Sequence, residues 1–507
     1  MLRHLLTGSS LVVLVAAAQI GTASATTIFT LDDDSINFGN VLVGSSASDQ
    51  ITLTGKSFTS TINGSFNNPG APFSGNTTTF QIKNYNGTAK DTITFAPTQR
   101  GSASGTVGVT GKAGNTTQNG SVAVSGTGVA PVESVTGSSP NYVLVGKTGT
   151  ASVTVANTGD GNKSGLGSVS NLKGSVGSSS GAFSGSGGSV NLQDNKSSTY
   201  NYTFTPTARG TASTTITSNF SNGSADGQNK SQSVSTTLTS QGVAAVNNVS
   251  VGTAPVTRIG TTGSAGLTVS NIGDGNLSGL GDLSNLHGSV GSSSGVFSGA
   301  GGSVNLQDGG SKTFSYAFTP TSHATSAQNI LASFTNGSSD GQNQAQNVTA
   351  TLQGRGVGPT YASSVAPGDT LDFGKVQAGH TGVLDLVLSN ISTDIAPGNL
   401  TWLSLLGVSL TGPGAAAFSL DQAFVASVLQ EGDLFNLRLD FGALKAGIYN
   451  ADLTISTDQN AAFGATGMSF TYHLQGQAVP EPASLVILGA GGLMLLAARR
   501  RRESGHI

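Results

Sequence analysis

The chain nearly repeats itself at a distance of 114 residues, and this duplication limits its possible folds more than any other feature. Residues 171–194 and 285–308 differ at only three of 24 positions. The same offset relates residues 157–161 to 271–275 and residues 226–229 to 340–343. A constant offset indicates duplication of one whole unit. A parallel β-helix, the rival fold for a chain of this kind, would show periods of about 20–30 residues.

Alternating apolar residues recur twice in each of four stretches of the chain. Period-two alternation predicts half-buried strands with one wet face. The first set is Ile51/Leu53, Val153/Val155, Leu267/Val269 and Leu384/Leu386/Leu388, and the second is Ile93/Phe95, Tyr200/Tyr202/Phe204, Phe314/Tyr316/Phe318 and Leu437/Leu439/Phe441. Proline follows three strands of the second set and predicts their ends, because it cannot donate to a strand ladder.

The spacing and composition predict an all-β protein of tandem immunoglobulin-like sandwiches. Charged residues are only 9% of the chain, and its 73 glycines suit strands joined by short turns. Similar closing segments at 125–129, 240–243, 353–357 and 475–479 mark the ends of the units. We predict sandwiches at residues 26–130, 131–243, 244–357 and 358–478, the third being a duplicate of the second.

The first 25 residues have the three parts of a secretory signal peptide. Arg3 and His4 precede an apolar run over residues 11–18, and the small residues Ala23 and Ala25 form the cleavage site. This order predicts removal by signal peptidase and export. Because the chain has no cysteine, the exported protein would fold without disulfides.

The end of the chain, residues 479–507, combines three elements. Pro480, Glu481 and Pro482 precede an apolar stretch over residues 483–498, and Arg499, Arg500, Arg501 and Arg502 follow it. As a helix the stretch would be about 24 Å long, which is short for a membrane span. The arginines would hold the tail on the cytoplasmic side. We therefore predict a single transmembrane helix at 483–498.

These three elements resemble the PEP-CTERM sorting signal of Gram-negative bacteria. The resemblance implies that an exosortase-type enzyme of the inner membrane removes the tail after export. The protein would be anchored in that membrane transiently and would then reach the cell surface or the extracellular space.

A second resemblance rests on residues 36–41 and 371–376, which share an apolar residue, Phe-Gly and valine at the same spacing. Gly44 and Gly379 follow each segment at the same distance. Together with a strand that ends in Asn-x-Gly, this pattern resembles choice-of-anchor D modules, which are relatives of Hydin-type immunoglobulin-like domains. The second and third predicted sandwiches lack the Phe-Gly pair.

No residue pattern supports catalysis, a cofactor or a metal. Residues 177–181 match Gly-x-Ser-x-Gly but lie in Ser/Gly-rich sequence without a following helix, which predicts a flexible loop. Asp32-Asp33-Asp34 lacks the further ligands of a calcium loop and predicts a solvated turn before the first strand. The six histidines lack zinc-ligand spacing. Trp402, the only tryptophan, is predicted to lie in a core.

Removal of both ends would change the net charge from −3 to −6, which disfavours nucleic acid and other anionic polymers as electrostatic partners. We therefore expect a non-enzymatic structural protein of the bacterial surface or extracellular matrix. Its partners would be the two processing enzymes and, in the matrix, exopolysaccharide or other proteins. The alternative is a surface module that binds a glycan or a protein through loops at the sandwich ends.

Overall fold

The computed structural model describes residues 26–76, 78–160, 168–274, 277 and 279–481. These residues are almost entirely strand and turn, and a three-residue 3₁₀ turn at Ala415–Ala417 is the one helical element among them. The predicted signal peptide with Ala23 and Ala25, and the predicted transmembrane helix, lie outside the described residues. No helix of the described part is long and apolar enough to cross a membrane.

The chain divides into two compact units, each with two β-sandwiches. Within the described residues, unit 1 runs from residue 26 to 143 and from 147 to 242, and unit 2 comprises residues 144–146 and 243–481. The sequence-derived bounds of the four sandwiches remain predictions.

Sandwiches 1 and 2 contain nine strands each. The strands of sandwich 1 are β1 (Phe29–Leu31), β2 (Ser35–Leu42), β3 (Ala47–Gly55), β4 (Ile62–Asn67), β5 (Phe73–Gly75), β6 (Thr79–Ile82), β7 (Thr88–Phe95), β8 (Gly101–Ala113) and β9 (Thr116–Val129). The strands of sandwich 2 are β10 (Glu133–Ser138), β11 (Tyr142–Leu144), β12 (Gly149–Asn157), β13 (Leu172–Val176), β14 (Phe183–Ser184), β15 (Gly188–Leu192), β16 (Ser197–Phe204), β17 (Gly210–Phe220) and β18 (Gln232–Val243).

Sandwiches 3 and 4 repeat this arrangement. The strands of sandwich 3 are β19 (Asn247–Val251), β20 (Val256–Arg258), β21 (Gly263–Asn271), β22 (Leu286–Val290), β23 (Phe297–Ser298), β24 (Gly302–Leu306), β25 (Ser311–Phe318), β26 (Thr325–Phe334) and β27 (Gln346–Val357). The strands of sandwich 4 are β28 (Tyr361–Ser363), β29 (Thr370–Gln377), β30 (Gly382–Asn390), β31 (Leu403–Thr411), β32 (Phe418–Leu420), β33 (Ser427–Leu429), β34 (Leu434–Phe441), β35 (Gly447–Thr457) and β36 (Ser469–Val479).

Every sandwich pairs a four-stranded sheet with a five-stranded sheet in the same order. In sandwich 1 the orders are β1-β3-β7-β5 and β2-β9-β8-β4-β6, and the other three sandwiches use the corresponding strands. In sandwiches 1, 3 and 4 the first strand of the five-stranded sheet runs parallel to its neighbour, β2 to β9, β20 to β27 and β29 to β36, and the other strand pairs of these sandwiches are antiparallel. Two such sheets with crossing connections make an immunoglobulin-like sandwich, so the predicted fold class is confirmed.

Each sandwich has its own hydrophobic core, and the predicted alternating strands supply it. Ile51 and Leu53 of β3 are fully buried, as are Val153 and Val155 of β12. A pair of phenylalanines lies at the same place in each core, with ring centroids 4.6–5.0 Å apart: Phe73/Phe95, Phe183/Phe204, Phe297/Phe318 and Phe418/Phe441. One face of each of these strands therefore packs in the core of its own sandwich.

The Phe-Gly pair of sandwiches 1 and 4 forms a bulge in the strand beside β9 or β36. Gly39 and Gly374 both have φ of +67°, a left-handed conformation that favours glycine. The Asn37 and Asp372 side chains accept hydrogen bonds from these glycines. The bulge lets Phe38 pack on the Phe73/Phe95 pair.

Candidate functional site

The sorting motif begins directly where the last sandwich ends. The carbonyl of Val479, the final residue of β36, accepts a hydrogen bond from Ala378 at 2.8 Å. Pro480 and Glu481 follow at once and are exposed. Pro482 and the arginines Arg499 to Arg502 lie outside the described residues. The start of the motif is thus accessible next to a folded domain.

The candidates for catalysis or metal binding have structural roles. Ser179 and Gly185 exchange backbone hydrogen bonds, and the Ser179 hydroxyl donates to the Phe183 carbonyl. Residues 177–181 lie in the connection between β13 and β14, and the bonds of Ser179 fix one point of it, while its flexibility stays a prediction. In the described part of the chain, no cluster of three or more His, Cys, Asp or Glu side chains is placed to hold a metal ion.

Two further predictions need correction in detail. The Asp32–Asp34 turn lies between β1 and β2 rather than before the first strand, and Asp32 accepts a hydrogen bond from the Thr52 amide. Trp402 is only partly buried, so its predicted core position is wrong: the neighbouring Leu403 occupies the core instead. The Trp402 ring contacts the Phe463 ring edge-on.

The two sandwiches of unit 1 are joined by a short, buried linker. Only residues 130–132 separate β9 from β10, and Ala130 and Pro131 are buried. Connections between domains are usually exposed and mobile. A buried linker of three residues leaves the two sandwiches little freedom to swing.

Asn157, at the end of β12, holds the linker through its side chain. Its side-chain oxygen accepts hydrogen bonds from the Val132 and Gly159 amides. Its side-chain nitrogen donates to the carbonyls of Ser170 and Leu192. The residue is fully buried, so these bonds satisfy a polar group that would otherwise be costly to bury.

Asp160 adds a charged contact between the linker and sandwich 1. Its carboxylate accepts from the Ala130 amide, and Arg100 at the start of β8 donates to it through Nε at 3.1 Å and Nη2 at 2.9 Å. The Asp160 side chain is 4% exposed and that of Arg100 is 33% exposed. We call Asn157, Asp160, Arg100 and the linker 130–132 the unit 1 clamp.

A loop of sandwich 2 adds a further contact to sandwich 1. The Asn229 side chain, in the turn between β17 and β18, donates to the Val43 carbonyl at 2.9 Å. Asp226 in the same turn has a pKa lowered to about 2, chiefly because the Ser224 hydroxyl donates to its carboxylate. The turn is therefore both a strand connection and an interdomain contact.

Unit 2 has the corresponding clamp around residues 358–360. Asn390 accepts from the Thr360 and Ser392 amides and donates to the Thr401 and Leu429 carbonyls. Asp394 accepts from the Gly358 amide. Two basic side chains of sandwich 3 then approach the Asp394 carboxylate: His323 Nδ1 at 2.6 Å and Arg355 Nη2 at 3.4 Å.

Arg258 is the most deeply buried charge in unit 2. Its side chain, 2% exposed, extends from sandwich 3 into sandwich 4 and pairs with Asp458, 0% exposed, at 2.9 Å. It also donates to five backbone carbonyls, those of Asn399, Leu400, Trp402, Asp458 and Ala461. Burial lowers the pKa of the Arg258 guanidinium, and the Asp458 carboxylate opposes this shift. The guanidinium thus fastens several segments of sandwich 4 to sandwich 3.

The sequence around Asn157 and Asp160 is repeated in the chain, but it does not indicate that these residues form a clamp. The 114-residue offset relates Asp160 to Asp274, but the local sequence does not show what either side chain contacts. Their partners lie far away along the chain: Arg100 is 60 residues from Asp160. The repeated basic residue after each Phe-x-Pro strand end was the available signal.

Comparisons with known proteins agree with the sorting motif and identify no family for the sandwiches. The PEP-CTERM protein-sorting motif matches residues 478–502. No curated protein matches the chain. The motif indicates an exported, sorted protein, and the tandem immunoglobulin-like fold fits a structural or binding protein of the surface.

Several solved structures match the chain at low similarity. The I67–I69 I-band fragment of titin has 10% identity and a TM-score of 0.22, and covers 69% of this chain and 99% of its own. The ASH/PapD-like domain 7 of human CEP192 has 16% identity and a TM-score of 0.20, with coverages of 23% and 96%. A Porphyromonas gingivalis W83 protein of unknown function has 14% identity and a TM-score of 0.18, with coverages of 45% and 99%. These values are too low to carry a functional argument.

Proposed function

We propose that this chain is a non-enzymatic structural protein of the bacterial cell surface or extracellular matrix. Signal peptidase would cleave after Ala25, and an exosortase-type enzyme would remove the tail near Pro480–Pro482. Before that step the helix at 483–498 would anchor the protein in the inner membrane. Exopolysaccharide or other matrix proteins would be its partners outside the cell.

The observation that carries this proposal is the pair of clamped linkers. In both units a buried linker, a buried asparagine and a carboxylate paired with a basic side chain join two sandwiches. Such junctions resist bending and suit a protein that holds a distance. The Phe-Gly bulges at Gly39 and Gly374 support the further assignment of sandwiches 1 and 4 as choice-of-anchor D modules.

Intact mass spectrometry of protein extracted from the surface of the producing cells tests the processing. The expected mature chain begins at Thr26 and lacks Arg499 to Arg502. A variant with these four arginines changed to glutamine is the control, and it should keep its tail. Wild-type protein that keeps its tail would contradict exosortase processing and indicate a permanent membrane anchor.

Matched deletions test the structural role. Deleting residues 131–244 or residues 245–358 removes one repeat of the same length at corresponding positions. The second deletion also removes Arg258, so that variant carries Asp458→Asn to avoid leaving a buried carboxylate unpaired. Both variants should then be folded and exported, and both should weaken matrix cohesion to the same extent. If only one deletion abolished function, that repeat would hold a specific binding site and the spacer role would be wrong.

A further inference from the structure

One end of sandwich 1 is built differently from the corresponding ends of the other sandwiches. The Gly55 amide donates to the Gly87 carbonyl at 2.9 Å, as the Asn157 amide donates to the Lys196 carbonyl at 3.0 Å. Gly55 therefore occupies the position of Asn157, and the same bonds place Asn271 and Asn390 there in sandwiches 3 and 4. Sandwich 1 thus lacks the side chain that holds a linker.

A second clamp position has also changed. In the next turn the Gly87 amide donates to the Asn84 carbonyl, as Lys196 does to Gln193. This equivalence puts Tyr85 where the other sandwiches have a carboxylate. Those carboxylates are Asp194, Asp308 and Glu431, and each accepts a hydrogen bond from the hydroxyl of Ser170, Ser284 or Thr401.

Tyr85 stacks on a second exposed aromatic ring. The Phe58 and Tyr85 centroids are 3.7 Å apart and the rings are nearly parallel, at 16°. Phe58 is 78% exposed and Tyr85 is 43% exposed. An aromatic ring open to solvent on a loop adds nothing to a core, and it offers an apolar face to the C–H groups of a ligand.

The charges around this aromatic pair are all positive. Lys56 donates to Asn86 at 2.9 Å and lies 5.7 Å from the Tyr85 ring centre. The β6–β4 and β4–β8 registers place Lys83 and Lys112 at this same end of the five-stranded sheet, and both are exposed. The segments 56–61, 83–87 and 112–115 contain no acidic residue.

We propose that this end of sandwich 1, comprising Phe58, Tyr85, Lys56, Lys83 and Lys112, binds an acidic polysaccharide. A sugar ring would stack on Phe58, and its carboxylate substituents would meet the lysines. The net negative charge of the whole chain weakens the attraction between these lysines and an acidic polysaccharide only slightly, because charges farther away than about 8 Å are screened at physiological ionic strength. The site rests on the proposed function and deepens it by naming the class of exopolysaccharide that binds, and it does not depend on the sorting step.

Isothermal titration calorimetry on the full-length protein in detergent tests the site, with alginate hexasaccharide as the acidic probe and cellohexaose as the neutral one. Phe58→Ala should weaken alginate binding roughly tenfold, the effect of losing one aromatic stack. Lys83→Gln should weaken it several-fold and reduce its dependence on salt. Leu444→Ala, at a residue 89% exposed in sandwich 4, is the matched control and should bind normally.

Three results would overturn the proposal: no alginate binding at millimolar concentration, equal affinity of the Phe58→Ala and Leu444→Ala variants, or equal affinity for cellohexaose. Because Phe58 is exposed, its replacement should leave the circular dichroism spectrum and melting temperature unchanged. Tail processing can be normal in each of these cases, so failure of this site is distinguishable from failure of the proposed sorting.

Discussion

Replacing Asp160 by alanine should open the linker of unit 1 without unfolding either sandwich. The carboxylate takes hydrogen bonds from the Arg100 guanidinium and the Ala130 amide, and its side chain is 4% exposed. Breaking a fully buried ion pair costs about 3–5 kcal/mol. Since Arg100 is one-third exposed, water replaces part of the interaction, and we expect a loss of about 2–3 kcal/mol.

Hydrogen exchange of the linker amides measures this loss locally. Because 1.4 kcal/mol corresponds to a factor of ten, exchange at Ala130 should accelerate roughly 30- to 150-fold. Asp160→Asn should have a smaller effect, since the amide oxygen can still accept from Ala130. Asp421→Asn, which affects a surface pair at 3.9 Å, is the control and should leave exchange unchanged.

A double-mutant cycle with Arg100→Gln separates the charge pair from the backbone contact. If the two residues act as a pair, their effects on linker exchange should be non-additive by about 1–2 kcal/mol. Additive effects, or an Asp160→Ala variant whose linker exchanges at the wild-type rate, would refute the clamp.

Three further predictions concern stability. Arg258→Met should destabilise unit 2 by about 3–5 kcal/mol in urea denaturation, because Asp458 is left buried without its partner. Adding Asp458→Asn should recover part of this stability. Full stability of the Arg258→Met variant would contradict the role of the pair. Burial raises the pKa of Glu133, whose Oε2 lacks a hydrogen-bond partner, so the ionised carboxylate opposes folding. Glu133→Gln should therefore raise the melting temperature at pH 7, and this gain should disappear as the pH falls below the ordinary pKa range of glutamate. A gain that does not depend on pH would exclude this cause. Gly39→Ala should lower the free energy of unfolding by about 1–2 kcal/mol because φ at Gly39 is +67°. Gly447→Ala, at a glycine without positive φ, should change it by no more than about 0.5 kcal/mol. Equal effects of the two variants would argue against backbone strain at Gly39.

The strands could be predicted from the sequence because their signal is local. In β3 and β12 the apolar residues alternate with polar ones, and the buried faces follow that alternation directly. The duplication at 114 residues showed that one fold is used more than once. The limit of local pattern is visible at Trp402: its apolar neighbours suggested a core position, but the strand begins one residue later.

The clamps could not be predicted, because each joins side chains from different sandwiches. Asp160 looks like a turn residue in its own segment, and its role depends on the Arg100 side chain and the Ala130 amide. Likewise, Phe58 and Tyr85 lie 27 residues apart and become a pair only when β3 and β7 meet. The sequence alone determined the strands, the repeat and the sorting motif, since each lies within one stretch of chain. Only the tertiary structure decided which charges are paired and which aromatic rings stack, since those contacts depend on how the sheets fold together.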